Sequence, residues 1–317
     1  MRIARVTGVL CCGNICHDIP VWPVDQFTWG TTTFVAELEA GIGGNGANTS
    51  YTLGRLNCPV KVYGIVGRDW QGDKLIGILQ KAGVNTDGVE RTGAPTNSTV
   101  CVVNSTGDRL FLHRLGASSD MRAVNLQVGS PQAAPYSHFH MANFFTLPDI
   151  RKHAQEILAE ARSAGKTTSL DTGWDGMGRW MEDVGPCLPY VDLMFVNDTE
   201  ARVLTGFEDP AQAAAKLRDL GAGEVIVKLG GSGSVLFAGD GTHHAAPFSV
   251  KPVDTTGAGD CFAGGFLAAL HHGMPYAEAL RFANAVGALN VQKLGAVTGI
   301  IGFEETLAWM SSAVHLN

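Results

Sequence analysis

Apolar runs rich in β-branched residues recur along this chain: VTGVLCCGN, PVKVYGIVG, STVCVVN, SHFHMANFF, TTSLDTG, DLMFVND and EVIVKLG. Several lack a clean polar–apolar alternation, which predicts strands buried on both faces. Helical patterns lie between them. In WQGDKLIGILQKAG, residues Leu75, Ile78 and Leu79 share one face and the pattern stops at Gly83. DIRKHAQEILAEARSAG predicts one amphipathic helix ending at Gly165. DPAQAAAKLRDLGAG opens with an Asp cap and Pro210, and ends at Gly221. Strand, helix, strand is the rhythm of a parallel sheet with helices on both faces. It is clearest from residue 136 onward.

Two segments break the rhythm. Residues 15–40 contain no good helix, and residues 94–115 read as a hairpin turning at Thr106-Gly107. Two β-rich excursions from one α/β body predict a small separate sheet, placed as a lid.

Composition narrows the class. The chain has 317 residues, 45% of them hydrophobic and 17% charged, which is a globular balance. The net charge of −7 comes with no clustered Lys/Arg stripe, so no nucleic-acid partner is expected. The seven cysteines are odd in number and form no C-x-x-C pair, which points to a reducing cytoplasm rather than a disulfide framework. The first residues carry too short an apolar run for a secretory signal. No run approaches the ~18 apolar residues of a membrane span.

Several motifs carry chemistry. GIGGNG, from Gly41 to Gly46, formally matches a dinucleotide-binding turn, but it does not follow the first strand. It reads instead as a turn presenting backbone N–H groups, Asn45 and Asn48 to a hydroxyl-rich ligand, with a mere tight turn as the alternative. FVNDTEARVL places Asn197 and Glu200 three apart at a strand end: a helix cap, or a polar pair orienting the waters of Mg²⁺. VIVKLGGSGSVLF is a hairpin or a turn lying along a nucleotide. No P-loop and no H-E-x-x-H occurs, and the histidine pairs lack a third ligand nearby.

The stretch DTTGAGD, Asp254 to Asp260, precedes an apolar helical run. A Gly-Ala-Gly turn into a helix exposes unpaired N–H groups where the helix dipole is positive. That makes an anion hole suited to phosphate oxygens during transfer. Asp260, next in order, is either a helix-start acid or the general base that takes the proton of an attacking hydroxyl. Ala263, Gly264 and Gly265 then allow the helix to pack closely.

GGNGAN, NDTE and DTTGAGD stand in the order seen in the ribokinase-like (PfkB-type) carbohydrate kinases, which the chain resembles over nearly its whole length. GIVGRDWQGD and ANAVGALNVQKLGA agree with it. The resemblance implies a single three-layer α/β/α kinase domain with a mostly parallel sheet and a β-lid. It implies ATP-dependent phosphorylation of a sugar hydroxyl, or of a nucleoside ribose in the same fold. By the same resemblance Asp260 is the base, and Gly257, Ala258 and Gly259 form the anion hole. Asn197 and Glu200 position Mg²⁺ and the phosphates. Asn14, Asp18, Gly43, Gly44 and Asn48 hold the sugar. Lys228, Gly230, Gly231, Gly233 and Asn284 line the nucleotide pocket. Asp254, Thr256 and Gly295 match a K⁺ site found in part of the family. Dimers through the lid are implied as well. The chain departs from ribokinases proper, which usually carry lysine where Asn45 stands. Gly173 replaces the Asn of the D-x-N-x-R pattern after Asp171, and Asn143 stands where some members place an acidic sugar ligand. These departures bear on the acceptor and not on phosphoryl transfer.

Overall fold

A computed structural model describes residues 6–313. The first five residues, part of the stretch read as too short for a signal, lie outside it. In chain order the strands are β1 (Val9–Cys12), β2 (Cys16–Trp22), β3 (Glu37–Leu38), β4 (Gly41–Gly43), β5 (Val60–Gly67), β6 (Asn85–Thr92), β7 (Asn97–Val103), β8 (Arg109–Arg114), β9 (His138–Ala142), β10 (Thr167–Asp171), β11 (Leu193–Asn197), β12 (Glu224–Lys228), β13 (Ser234–Ala238) and β14 (Gly241–Ala245). The helices are α1 (Asn45–Arg55), α2 (Trp70–Lys81), α3 (Pro148–Lys152), α4 (Ala154–Ser163), α5 (Met181–Val184), α6 (Asp198–Thr205), α7 (Pro210–Asp219), α8 (Ala258–His271), α9 (Tyr276–Asn290) and α10 (Phe303–Ser312).

The main sheet has nine strands in the order β14-β13-β12-β11-β10-β9-β1-β5-β6. From β12 to β6 every pairing is parallel, and β13 and β14 add an antiparallel edge. Alternate residues of one strand feed two different cores. Val9 and Cys11 of β1 join Leu53, Leu75, Phe266 and Phe282 on one face. Leu10 and Cys12 join Leu158, Met194, Val196 and Leu217 on the other. Both faces are therefore apolar, which is why these strands show no alternation in sequence. All seven cysteines are buried free thiols. Among the described residues no helix is long and apolar enough to cross a membrane.

The two β-rich excursions do form a second sheet, ordered β3-β2-β7-β8, with β4 also paired to β2. The 97–114 hairpin turns through Asn104, whose Oδ1 accepts the N–H groups of Thr106 and Asp108. Helix α2 ends at Lys81 with Ala82 as its cap, and Gly83 follows at a left-handed φ of 86°. Asp209 caps α7 by accepting the Gln212 N–H at 2.9 Å, with Pro210 next. One expectation fails: the helix foreseen up to Gly165 is two. The chain breaks at His153, between α3 and α4. Arg151 there is drawn into ion pairs with Asp175 and Asp183, 2.9 and 2.6 Å away.

Candidate active site

The polar residues gather where parallel α/β sheets bind ligands, beyond the carboxyl ends of the strands. Asn14 follows β1, Asn143 follows β9, and Asp171, Asn197 and Lys228 close β10, β11 and β12. The N-terminus of α8 faces them. Gly257 caps that helix at φ 72°, without a side-chain cap, and a Cβ there would overlap the Ala296 carbonyl. The turn is therefore restricted to glycine. Close packing fixes its direction: a Cβ on Gly264 would fall 2.9 Å from Thr52 of α1, and one on Gly265 3.0 Å from Val286 of α9.

Asp260 does not cap its own helix. Its side chain crosses to α1, where Oδ1 accepts Asn45 Nδ2 at 2.7 Å and Oδ2 accepts Asn48 Nδ2 at 2.8 Å. Asn45 Oδ1 in turn accepts Asn143 Nδ2 at 2.7 Å, and the Asn45 N–H donates to Asn14 Oδ1 at 3.0 Å. Asn143 sits at φ 58°, against Gly173, where a Cβ would come 2.5 Å from Asn143 Oδ1. Burial pushes the Asp260 carboxyl up to about 6, against the pull of the Asn48 and Asn45 amides.

A second cluster lies beside the first. Lys228 Nζ donates to Asp171 Oδ2 at 2.7 Å. Asn197 and Glu200 form a reciprocal capping box: Asn197 Oδ1 accepts the Glu200 N–H at 2.7 Å, and Glu200 Oε2 accepts the Asn197 N–H at 2.8 Å. Burial raises the Glu200 carboxyl, with Lys228 opposing the shift.

A third group surrounds the start of the small sheet. Asp18 on β2 lies over Gly43 of β4, where a Cβ would overlap its carboxylate. Gly44, at φ 88°, precedes α1, and a Cβ on it would come 2.6 Å from Asn14 O. Asp18 Oδ1, Asn48 Oδ1 and His17 Nε2 are buried without a hydrogen-bond partner. Buried polar atoms are nearly always paired, so the orphaned oxygens of Asp18 and Asn48 mark where a polar ligand belongs, whereas His17, next to Asp18 on the strand and so on its other face, packs against Trp70 of α2. Burial raises the Asp18 carboxyl.

The remaining candidates sit differently. GIGGNG is an edge strand of the small sheet followed by α1, and not a crossover of the main sheet, which removes the dinucleotide reading. The Gly230–Gly233 stretch is the hairpin turn between β12 and β13, with open space over Gly230 and Gly231 and a left-handed φ of 88° at Gly233. Asn284 spends its amide on Ala245 O and Ala246 O and accepts Ser234 Oγ, tying α9 to that hairpin. Asp254 accepts N–H groups from Thr256 and Gly295 at 2.9 Å each. His138 and His140 are structural: both bond Ser169 Oγ at 2.7 Å in the sheet interior. The contacts that join Asn45 to Asn143 and Lys228 to Asp171 are not readable from motifs. Their only signal is a charge closing an apolar strand, in EVIVK and TTSLD.

Residues 7–301 match the family described as pfkB family carbohydrate kinase. The chain belongs to that family. An Archaeoglobus fulgidus relative named an uncharacterized sugar kinase is 31% identical over 250 residues, covering 78% of this chain and 97% of its own. The aminoimidazole riboside kinase of Salmonella typhimurium is 30% identical over 287 residues, covering 85% and 88%. The structure of Arabidopsis thaliana ribokinase complexed with ribose and ATP superposes at a TM-score of 0.80, with 28% identity over 97% of this chain and 99% of that one. The nine-stranded sheet, its flanking helices and the small second sheet are thus the ribokinase-like fold of this pfkB-family kinase.

Proposed function

We propose that this chain transfers the γ-phosphoryl group of ATP to a sugar hydroxyl, with Asp260 as general base. The observation that carries the reading is the position of Asp260. It is a buried carboxylate, gripped through both oxygens, at the third residue of a helix whose start has no side-chain cap. The first-turn N–H groups at Gly257, Ala258 and Gly259 lack intrahelical acceptors and meet the positive end of the dipole. They stabilise the phosphoryl oxygens while Asp260 takes the hydroxyl proton. Asn14, Asp18, Gly43, Gly44 and Asn48 hold the acceptor, since the orphaned atoms of Asp18 and Asn48 lie there. The nucleotide lies along Gly230, Gly231 and Gly233, toward Lys228 and Asn284. The small sheet, with the segments 15–40 and 94–115, acts as the lid of one kinase domain.

Mg²⁺ accompanies the nucleotide. Among the described residues no three His, Cys, Asp or Glu side chains converge on a cage. Glu200 and Asn197 offer hard oxygens at the phosphate side, which suits an ion that keeps waters and takes phosphate ligands. When bound, the ion neutralises charge on the phosphates. A K⁺ ion beside Asp254, Thr256 and Gly295 would share acceptors with protein donors, because Thr256 O already takes the Asn290 amide at 3.1 Å. No step depends on it.

A nucleoside acceptor is the second reading. It is favoured by the riboside kinase among the relatives and by exposed aromatic residues in the first lid segment, Trp29 (100% exposed) and Phe34 (90%). ADP release measured across a panel of sugars and nucleosides separates the two, and no turnover on any member overturns both. The same aromatic surface, with Leu110, Phe111 and Leu112 of β8 exposed, supports a homodimer through the lid. Light scattering at micromolar concentration is expected to give twice the chain mass, and a monomer mass refutes it.

Because Asp260 must be ionised to act and its pKa is raised to about 6, kcat/KM is expected to fall about tenfold per pH unit below that value and to be flat above it. A limb near the usual carboxylate value of about 4 contradicts a buried base.

A further inference from the structure

Lys228 closes β12, yet its partner Asp171 closes β10, and β11 runs between them. The lysine side chain therefore reaches across the carboxyl end of β11 to make its 2.7 Å ion pair. Its side chain is only 13% exposed. Burial works against the ammonium, but the Asp171 and Glu200 carboxylates hold its pKa above the usual value. A purely structural pair would be expected beneath the sheet edge, shielded by apolar side chains. This one lies under the first turn of α8, where a Cβ built on Gly259 would stand 3.2 Å from Nζ. Only a glycine separates the ammonium from the turn whose N–H groups lack intrahelical acceptors, the Ala258 N–H turning back to Thr255 O at 3.3 Å. An ammonium has three donors. Asp171 takes one, and among the described residues no protein acceptor takes the other two.

We propose that Lys228 is a catalytic residue of the transfer, its ammonium contacting the γ-phosphoryl oxygens at the α8 turn, and that Asp171 is the positioning residue that aims it. The inference rests on the phosphotransferase reading above. In the step, a bond forms between the acceptor oxygen and the γ-phosphorus. The bond from that phosphorus to the bridging oxygen breaks, and its electron pair leaves with ADP. The hydroxyl proton goes to Asp260, and Lys228 keeps its three protons throughout. The fixed positive charge meets the equatorial oxygens without having to reorganise.

The test uses the full chain with Mg²⁺ in two measurements: kinetics with the acceptor found in the panel, and titration calorimetry with ATP and ADP separately. Lys228→Met is expected to lower kcat about 100-fold, the size typical of one lost transition-state donor. It is also expected to erase the preference for ATP over ADP while changing ADP affinity less than about threefold, because ADP lacks the group Lys228 touches. Lys228→Arg should recover part of the kcat. Asp171→Asn should lower kcat and the ATP preference in parallel, with melting temperature near wild type. An unchanged kcat in Lys228→Met, or equal loss of ATP and ADP affinity, overturns the proposal and leaves a structural pair. If the wild type phosphorylates no acceptor, the kinase reading fails, and the ATP-over-ADP ratio still decides whether Lys228 faces the terminal phosphate. Should Lys228→Met not fold, the Arg and Asn variants carry the same decision.

Discussion

Asp260→Asn is expected to lower kcat about 10³-fold while ATP affinity stays within a few-fold of wild type. A positioned general base typically contributes about 10²–10⁴-fold. The substitution removes the proton acceptor and leaves the Gly257–Gly259 turn untouched. Binding of the nucleotide, which the proposed reading assigns to that turn and to the hairpin glycines, should therefore survive. Misfolding is a poor alternative explanation, and the sign of the stability change shows why. The carboxyl is raised from 3.8 to about 6 in the folded chain, so the native state holds this proton more firmly than the unfolded one. Its contribution to stability is fully present below pH 3.8 and is lost as pH rises through 6. Above pH 6 the ionised group costs the apo protein up to about 3 kcal/mol. Asparagine cannot ionise, so at pH 8 the variant should melt no lower than wild type, although one of its amide donors must find a new partner beside Asn45 or Asn48. Calorimetric melting and single-turnover phosphoryl transfer check the two halves. Turnover within tenfold of wild type removes Asp260 from the base role.

How much of this was legible beforehand depended on how far apart the partners lie in sequence. DTTGAGD could be read because hole and acid are contiguous, and the strands themselves could be placed from apolar runs bounded by glycine and polar turns, although their order in the sheet could not. The two-face burial of β1 showed itself in the missing alternation of VLCC. Asn45, by contrast, meets Asp260 across 215 residues and Asn143 across 98. No local pattern encodes such a meeting. It follows from β1 and β9 being sheet neighbours and from α1 packing against α8. The same holds for the break at His153. Ile150, Ala154, Ile157, Leu158 and Ala161 keep an unbroken helical period and are all buried. Two residues before the break Arg151 is held by Asp175 and Asp183, contacts that periodicity cannot see. Asn197 and Glu200 show the reverse limit. The cap and the ligand pair were both readable, and the structure realises the cap without removing the other role, since a capping box still faces the cleft.

The acceptor side yields the other large effect, and it couples two positions. Asp18→Ala is expected to lower kcat/KM for the acceptor about 10³-fold with ATP affinity unchanged. A carboxylate that holds two hydroxyls contributes about 1.5–3 kcal/mol through each charge-assisted hydrogen bond. Gly43→Ala should reproduce most of that loss without touching the carboxylate chemically. Gly43 pairs with Cys16 in the β2–β4 ladder, so its backbone has little freedom to retreat. A methyl there overlaps the Asp18 carboxylate and must turn it out of the cleft. If both changes act on one interaction, the double variant should be scarcely worse than either single one, a coupling of several kcal/mol in a mutant cycle. Full additivity would mean that Gly43→Ala acts elsewhere, through strand pairing or through Gly44 and the start of α1, and that Asp18 is not held in place by the absence of a side chain opposite it. Melting temperatures of the two single variants discriminate here. Asp18→Ala removes a buried carboxylate with an unpaired oxygen and should not destabilise the apo chain, whereas strand disruption by Gly43→Ala would lower its melting point by several degrees. Loss of acceptor binding at unchanged stability in both variants is the result that makes Asp18 the sugar anchor and Gly43 the floor on which it rests.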